Sequence, residues 1–234
     1  MRLLFTLQYL GTRYAGWQTQ ANAVGVQQVV EAALSKLFGA AIRIEGAGRT
    51  DSGVHARAQR AHADVPRAIP TRGLILGLND LLPHDIRVTA AEEVADDFHC
   101  RFAAKSKTYR YQIWNAPIAD VFAYATHAHV AQPLDAARMH AAAQALAGEH
   151  DFRAFTVAAP EVSTTVRTIV SIDVVRDGDA VHIVVTADGF LRNMVRRIAG
   201  TLIEVGRGSL DAVSFTEARW TAAAKGLVLW EVRY

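Results

Sequence analysis

Segments of strand-like and helix-like periodicity alternate along this chain in two passes, and this alternation limits the possible folds more than any other feature of the sequence. Residues 2–9 alternate as a strand does, and a glycine-punctuated loop follows them. Apolar residues recur at three- and four-residue steps over 26–38, which predicts a helix that stops at Gly39. The first pass continues with predicted strands over 42–47 and 57–65, a helix over 72–82 and extended chain over 85–93.

The second pass begins with an aromatic-rich strand over 108–114. An irregular stretch over 117–132 follows, and we place the domain junction near its start. Beyond it the pattern predicts a helix over 135–146 ended by Gly148, a hairpin of 167–176 and 180–188 around Asp177-Gly178, a helix over 191–205 and a strand over 228–234.

Two strand–helix–strand halves that cover one sheet are typical of the α+β class, with the cleft between them available for a ligand. We therefore predict an N-terminal half over residues 1–115 and a C-terminal half over 116–234. The halves are alike in the order of their elements, but their sequences do not indicate a repeat.

The composition indicates the cellular compartment in which the protein is expected to work. The 234 residues are 51% hydrophobic, so a sizeable core is possible, yet no uncharged apolar run approaches the ~20 residues of a membrane helix. The N-terminal segment is too polar for a signal-peptide core. Cys100 is the single cysteine, which excludes an intramolecular disulfide and a four-thiolate zinc site. We expect a soluble, cytoplasmic protein.

The net charge does not identify the protein as one that binds nucleic acid, because its formal value is only +2. Two stretches, 101–119 and 189–203, carry several basic residues and no acidic one. Either stretch by itself fits ordinary solvated charge as well as phosphate contacts.

Several kinds of chemistry are excluded by missing motifs. The chain has no P-loop, HExxH, GxSxG or paired CxxC motif, and Gly46-x-Gly48 lacks the third glycine of a dinucleotide fingerprint. His127 and His129 form a close pair that strand alternation or a polar linker explains better than a metal does. The sequence therefore predicts no metal site and no cofactor.

The segment GRTDSGVH, residues 48–55, is the most unusual part of the chain. Glycines near both ends allow sharp turns that present Asp51 from a short loop between strands. Arg49, two residues away, favours the ionised form of that carboxylate. An aspartate in a glycine-rich turn is more often structural than functional, so the pattern alone leaves both interpretations open.

Around this loop an ordered series of motifs closely resembles the tRNA pseudouridine synthase A family. YLGTRYAGWQTQ (9–20) precedes GRTDSGVHA (48–56), and both match the family pattern. The later matches, in family order, are Leu78-Asn79, Leu82-Pro83-x-Asp85-Ile86, Asp97-Phe98-His99-x-Arg101-Phe102, Lys107-x-Tyr109-Arg110-Tyr111, Gly148-x-x-Asp151-Phe152, Phe190-Leu191-x-x-Met194-Val195-Arg196 and Val205-Gly206.

This resemblance implies a fold and an activity. The fold would be the pseudouridine synthase fold, with two similar α/β halves, a mostly antiparallel shared sheet and a central cleft. The activity would be the cofactor-free isomerisation of uridine to pseudouridine at positions 38–40 of the tRNA anticodon arm. Asp51 would add to the uracil ring or to ribose C1′, after which the base detaches, rotates and rejoins through carbon.

The resemblance also implies roles for other residues. Arg196 would pair with the catalytic carboxylate, and Tyr109 would stack on the target base and handle a proton. Arg49 would occupy the vacated stack or guide the flipped nucleotide. Leu229 would line the uracil pocket, although core packing explains Leu229 equally well. We expect His55 to be structural, Cys100 to be a buried thiol, and Trp17 to brace the loop or touch RNA.

The family further implies tRNA as partner, no membrane, and a homodimer. The sequence departs from the family over 219–225, where Arg219-Trp220-Thr221-Ala222-Ala223-Ala224-Lys225 replaces a proline-containing stretch. Three alternatives remain open: the same chemistry at another RNA site, a non-catalytic tRNA-binding protein, and a hydrolase or nuclease that uses Asp51 and His55.

Overall fold

The computed structural model describes residues 1–157 and 163–234. Within them the chain forms two compact units: Met1–Lys105 together with Leu229–Tyr234, and Ser106–Val228. The α+β prediction is confirmed, because helices accompany a large sheet whose strand pairs are mostly antiparallel. The division predicted at 115/116 stays a prediction. No helix in these two stretches is long and apolar enough to cross a bilayer.

The first unit is a sheet with two helices. Its strands are β1 (Arg2–Tyr9), the two-residue β2 (Glu45–Gly46), β3 (His55–Asp64), β4 (Ile86–Val94) and the end of β10 (Leu227–Arg233). β1 lies between β4 and β3 and is antiparallel to both, and β10 lies on the other side of β3. The helices are α1 (Val26–Phe38) and α2 (Thr71–Leu81), and a 3-10 turn covers Gly11–Arg13.

Helix α1 has the bounds that its periodicity predicts. Val26, Val30, Leu34 and Phe38 recur on one face and are buried. Gly39 ends the helix in the left-handed conformation, with φ 69°, and its N–H donates to the carbonyl of Ser35.

The strand predicted over 42–47 is wrong except for β2. The backbone N–H of Ile42 donates to Ser35 Oγ at 3.0 Å, and that of Ile44 donates to Glu31 Oε1 at 3.1 Å. Side chains of α1 thus satisfy the donors that a neighbouring strand would have taken. The alternating apolar residues are buried, but the segment runs along a helix rather than in a ladder.

The second unit contains the remaining elements. Its strands are β5 (Ser106–Trp114), β6 (Ala128–His129), β7 (Gly148–Asp151), β8 (Val166–Asp177) and β9 (Ala180–Ala187). β9 lies between β5 and β8, β7 pairs with β8, and β6 runs parallel to β5. The helices are α3 (Ala136–Ala143) and α4 (Met194–Gly206), and short 3-10 turns cover Gln144–Leu146, Arg153–Phe155 and Ala224–Gly226.

The predicted hairpin is confirmed, because Asp177 pairs with Ala180 and Gly178 takes φ 56° in the turn between β8 and β9. The helix predicted over 191–205 begins later than its apolar pattern suggests. Asn193 lies at φ 60°, a left-handed conformation that cannot continue into the residues before it, so α4 starts at Met194. The helix predicted over 135–146 ends at Ala143 and continues only as a 3-10 turn.

Candidate active site

The loop between β2 and β3 presents Asp51 at the surface of the first unit. Asp51 is half-buried, its neighbour Thr50 is buried, and Arg49 is exposed. The backbone N–H of Val54 donates to the carbonyl of Asp51 at 3.1 Å, which closes a turn in which Gly53 has φ 77°. Asp51 is therefore the first residue of a tight turn, and Ser52 and Gly53 form the corner of that turn.

The segment before α1 braces this loop from behind. The backbone N–H of Trp17 donates to the carbonyl of Thr50 at 3.1 Å, and the Thr50 hydroxyl lies 2.9 Å from the hydroxyl of buried Tyr9. Gly16 passes so close that an added Cβ would lie 2.4 Å from the Thr50 carbonyl oxygen. Trp17 is itself buried, so bracing the loop, one of its two predicted roles, is confirmed.

Both ends of the loop are also fixed. At its start the Gln59 amide donates to the Gly48 carbonyl at 2.8 Å. At its end, buried His55 accepts from the backbone N–H of Gly11 through Nδ1 at 2.8 Å. This hydrogen bond confirms the structural role predicted for His55.

Two tyrosines behind the loop stay protonated across the physiological range. Burial raises the pKa of Tyr9 well above its usual value. Burial, followed by a hydrogen bond to Asp85, raises the pKa of Tyr14 to about 12. The Tyr14 hydroxyl accordingly donates to Asp85 Oδ1 at 2.7 Å, which links the segment behind the loop to the residue before β4.

Tyr109 lies on β5 in the second unit, opposite Val185 of β9, and is buried. Its ring meets the ring of Phe190 edge-on, with centroids 5.0 Å apart and planes at 85°. Edge-to-face packing fixes the plane of the tyrosine ring. Tyr111, two residues along the same face, is fully buried and donates from its hydroxyl to the carbonyl of Ala223 at 2.9 Å.

Arg196 lies in the first turn of α4, and two hydrogen bonds orient its guanidinium. Nε donates to the backbone carbonyl of Ala222 at 2.9 Å, and Nη1 donates to Asn193 Oδ1 at 2.9 Å. The N–H of Ala222 donates in return to the carbonyl of Arg196 at 3.0 Å. Neighbouring Arg192 is exposed, so Arg196 is the more constrained of the two arginines.

The predicted site residues thus fall into two groups. Arg49, Asp51 and Leu229 belong to the first unit, where Leu229 is fully buried, and Tyr109 and Arg196 belong to the second. Cys100 is buried as predicted. His127 and His129 do not converge, because His129 Nε2 contacts the carbonyl of Ala116 whereas His127 Nδ1 contacts Thr126 Oγ1.

Asn193 and Ala222 are the positioning residues that the sequence does not reveal. Asn193 offers a weak signal, because asparagine is the residue other than glycine that most readily adopts the left-handed conformation at a helix start. Ala222 offers none, since it acts through its backbone and lies 26 residues from Arg196 in sequence.

The sequence was compared with models of known protein families. A family model described as tRNA pseudouridine synthase matches residues 6–103 and 142–234. The chain belongs to this family, whose members are isomerases.

Individual relatives carry a more specific name. A tRNA pseudouridine synthase A of Myxococcus xanthus is 45% identical over 100% of this chain and 92% of its own length. A protein of the same name from Brevibacillus brevis is 44% identical over 100% of this chain and 99% of its own length. Another from Pelobacter propionicus is 42% identical over 98% of this chain and 98% of its own length. The resemblance read from the motifs is therefore confirmed over the full chain.

Proposed function

We propose that the protein converts uridine to pseudouridine in the anticodon stem-loop of tRNA, with Asp51 as its nucleophile. The observation that carries this proposal is the braced turn that presents the Asp51 carboxylate, in a chain of the tRNA pseudouridine synthase family. A loop that only bound phosphate would have no use for a carboxylate beside its turn, since the two charges repel.

In the proposed reaction the Asp51 carboxylate adds either to the uracil ring or to ribose C1′. The bond between N1 and C1′ breaks, the base rotates, and a bond forms between C5 and C1′. The bond to Asp51 breaks, which returns the free carboxylate. The proton on C5 is lost and N1 gains one, so substrate and product have the same composition. No hydride, metal or nucleotide enters this balance.

The remaining site residues have supporting roles in the proposal. The Arg196 guanidinium pairs with the catalytic carboxylate, and its hydrogen bonds to Ala222 and Asn193 orient it for this contact. Tyr109 stacks on the base and handles a proton, and the ring of Phe190 holds it in plane. Exposed Arg49 guides the nucleotide that leaves the helical stack. Leu229 contributes an apolar contact to the uracil pocket.

Substrate binding would draw on the two basic, acid-free stretches, 101–119 and 189–203. Each contains a proposed site residue, Tyr109 in the first and Arg196 in the second. Their arginines and lysines suit contacts with tRNA phosphates, which supply most of the affinity in such complexes. We further propose that the protein is cytoplasmic and a homodimer. Light scattering tests the second point, and a monomer at micromolar concentration would exclude it without affecting the chemistry.

The test of the proposed chemistry is release of tritium from unmodified tRNA that carries uridine labelled at C5. We expect release by the wild-type protein and by Ser52→Ala, which changes the exposed neighbour of Asp51 in the same loop. Asp51→Asn should release none while it melts and binds tRNA as the wild type does. Turnover by Asp51→Asn would exclude the nucleophile assignment.

The same assay tests two of the three alternatives. Tight tRNA binding by the wild type without tritium release would favour a non-catalytic tRNA-binding protein. Release from a tRNA in which the anticodon-arm uridines have been replaced by cytidines would favour the same chemistry at another site.

A further inference from the structure

Three potential metal ligands from separate segments converge in the first unit, apart from the loop of Asp51. They are Glu45 of β2, His62 of β3 and His99, which follows β4. One ligand atom from each lies within 4.8 Å of the others, and His99 Nε2 is 3.1 Å from Glu45 Oε2. Glu45 and His62 are direct partners in the antiparallel pair of β2 and β3.

The buried thiol of Cys100 fixes the orientation of His62. Cys100 Sγ donates to the carbonyl of Glu45 at 3.1 Å, and the same sulfur lies 3.2 Å from His62 Nδ1. Because the thiol proton is used on the carbonyl, the sulfur faces His62 as an acceptor and Nδ1 carries the ring proton. The lone pair of His62 is then on Nε2. Metal-binding histidines are oriented in this way, by a hydrogen bond from the nitrogen that does not ligate.

The surroundings suit entry of a cation and its retention. His62 is buried, His99 is half-buried and Glu45 is exposed, so the three form a site that opens to solvent on one side. Glu45 supplies a negative charge. Arg2, a cation of the same unit, is paired with Asp64 at 2.8 Å.

We propose that Glu45, His62 and His99 bind a divalent transition-metal ion, with Zn²⁺ as the best match. Two imidazoles and one carboxylate are a ligand set that zinc accepts, whereas magnesium and calcium require oxygen ligands. The simpler account is an ion pair between His99 and Glu45 beside a hydrogen-bonded His62. In that account His99 Nδ1 accepts from the backbone N–H of Arg101 at 3.2 Å and Nε2 donates to Glu45. Metal binding through Nε2 instead requires the proton on Nδ1 and loss of the Arg101 contact, so the two accounts differ in a way that metal titration decides.

The position of the site gives the ion a structural role. β2 and β3 are the two strands that enter and leave the loop over 47–54, and Glu45 and His62 pair across them. An ion held by both, and by His99, would fasten the base of that loop to the segment after β4. Metal binding itself does not depend on the proposed catalytic function. Only the consequence for catalysis of fastening the loop that carries Asp51 rests on that proposal.

The test is direct metal binding by full-length protein freed of metal with a chelator. Zn²⁺ is titrated calorimetrically, and Co²⁺ is used as a spectroscopic probe of the same site. We expect one ion per chain and a higher melting temperature in the presence of Zn²⁺, because binding to the folded state stabilises it. The Co²⁺ complex should show visible bands without an intense near-ultraviolet sulfur-to-cobalt band, since Cys100 orients His62 and does not ligate.

Two variants of the accessible ligands test the assignment while sparing the buried histidine. His99→Ala and Glu45→Gln should each weaken Zn²⁺ binding by at least about 100-fold, since loss of an outer partner alone costs about 10–100-fold. His84→Ala, which removes another exposed histidine of the first unit, should bind as the wild type does. Cys100→Ser should weaken binding less than His99→Ala.

Some results would overturn the proposal. They are absence of Zn²⁺ binding by the wild type, or equal affinity in His99→Ala and the wild type. A strong sulfur-to-cobalt band would replace the proposed arrangement with one in which Cys100 is a ligand. Tritium release from tRNA is measured separately, so loss of the catalytic proposal would leave each of these binding results interpretable.

Discussion

The guanidinium of Arg196 and the backbone carbonyl of Ala222 are joined by a 2.9 Å hydrogen bond, although they are far apart in the chain. Ala222 lies in the stretch 219–225. The same stretch packs against α4 at Gly200, where an added Cβ would lie 2.5 Å from the carbonyl oxygen of Trp220. The stretch 219–225 therefore orients the proposed partner of the catalytic carboxylate.

Asn193→Gly tests how much this orientation matters. Glycine keeps the φ of 60° at no steric cost but removes the Oδ1 that accepts from Arg196 Nη1. Loss of one charge-assisted hydrogen bond should lower kcat for pseudouridine formation by about 10-fold, with little change in folding. Asn193→Ala is the matched control, and it should also lose roughly 1 kcal/mol of stability because alanine is strained at this φ. Wild-type kcat in Asn193→Gly would show that Asn193 does not position Arg196.

Substitutions of Tyr109 separate stacking from proton handling. Tyr109→Phe keeps the ring that meets Phe190 and removes only the hydroxyl, so tRNA binding should persist while the rate falls by about 100-fold or more. Tyr109→Leu should lower the rate and also weaken binding, because base stacking on an aromatic ring contributes about 1–3 kcal/mol. Single-turnover rates and filter binding measure the two effects. A Tyr109→Phe variant with the full rate would remove the hydroxyl from the mechanism.

Gly16→Ala should disturb the loop of Asp51 from behind. Gly16 has φ 93°, and a Cβ there would press on the Thr50 carbonyl. We expect about 1–3 kcal/mol of destabilisation from the backbone strain alone, together with loss of tritium release. Gly39→Ala is the control: it has φ 69° but no atom within 4 Å of the added Cβ, so it should lose stability and keep activity. Urea unfolding and tritium release distinguish the two, and equal activity in both variants would contradict the bracing role.

His182 should make the protein acid-sensitive over a defined range. Burial, followed by the charge of Arg110, lowers its pKa from 6.5 to about 4, and its Nδ1 has no hydrogen-bond partner among the described residues. The unfolded chain therefore takes up this proton first, so stability is retained above pH 6.5 and declines as the pH falls from 6.5 towards 4. His182→Gln should flatten this part of the curve of unfolding free energy against pH. An unchanged slope would assign the decline to other groups, and His84→Gln at the surface serves as the control.

Local patterns in the sequence predict most of the fold. The helix over Val26–Phe38 follows from apolar spacing and Gly39, and the β8–β9 hairpin follows from Asp177-Gly178. These sequence patterns give a wrong prediction where a side chain from another element takes the hydrogen bond that a neighbouring strand would have made. Glu31 and Ser35 do this for the backbone N–H groups of the segment before β2. The same limit applies to the candidate site. The motifs predict Asp51, Tyr109 and Arg196, but not the carbonyl of Ala222 or the convergence of Glu45, His62 and His99, which depend on tertiary structure.

Strand β10 starts in the second unit, and its residues 229–233 complete the first. During translation, all of unit 2 therefore leaves the ribosome before unit 1 has its last strand. Until then β3 has β1 on one side and only the two-residue β2 on the other, so much of one strand edge stays open. Open edges invite pairing with other chains. The nascent protein should therefore depend on chaperones at this stage.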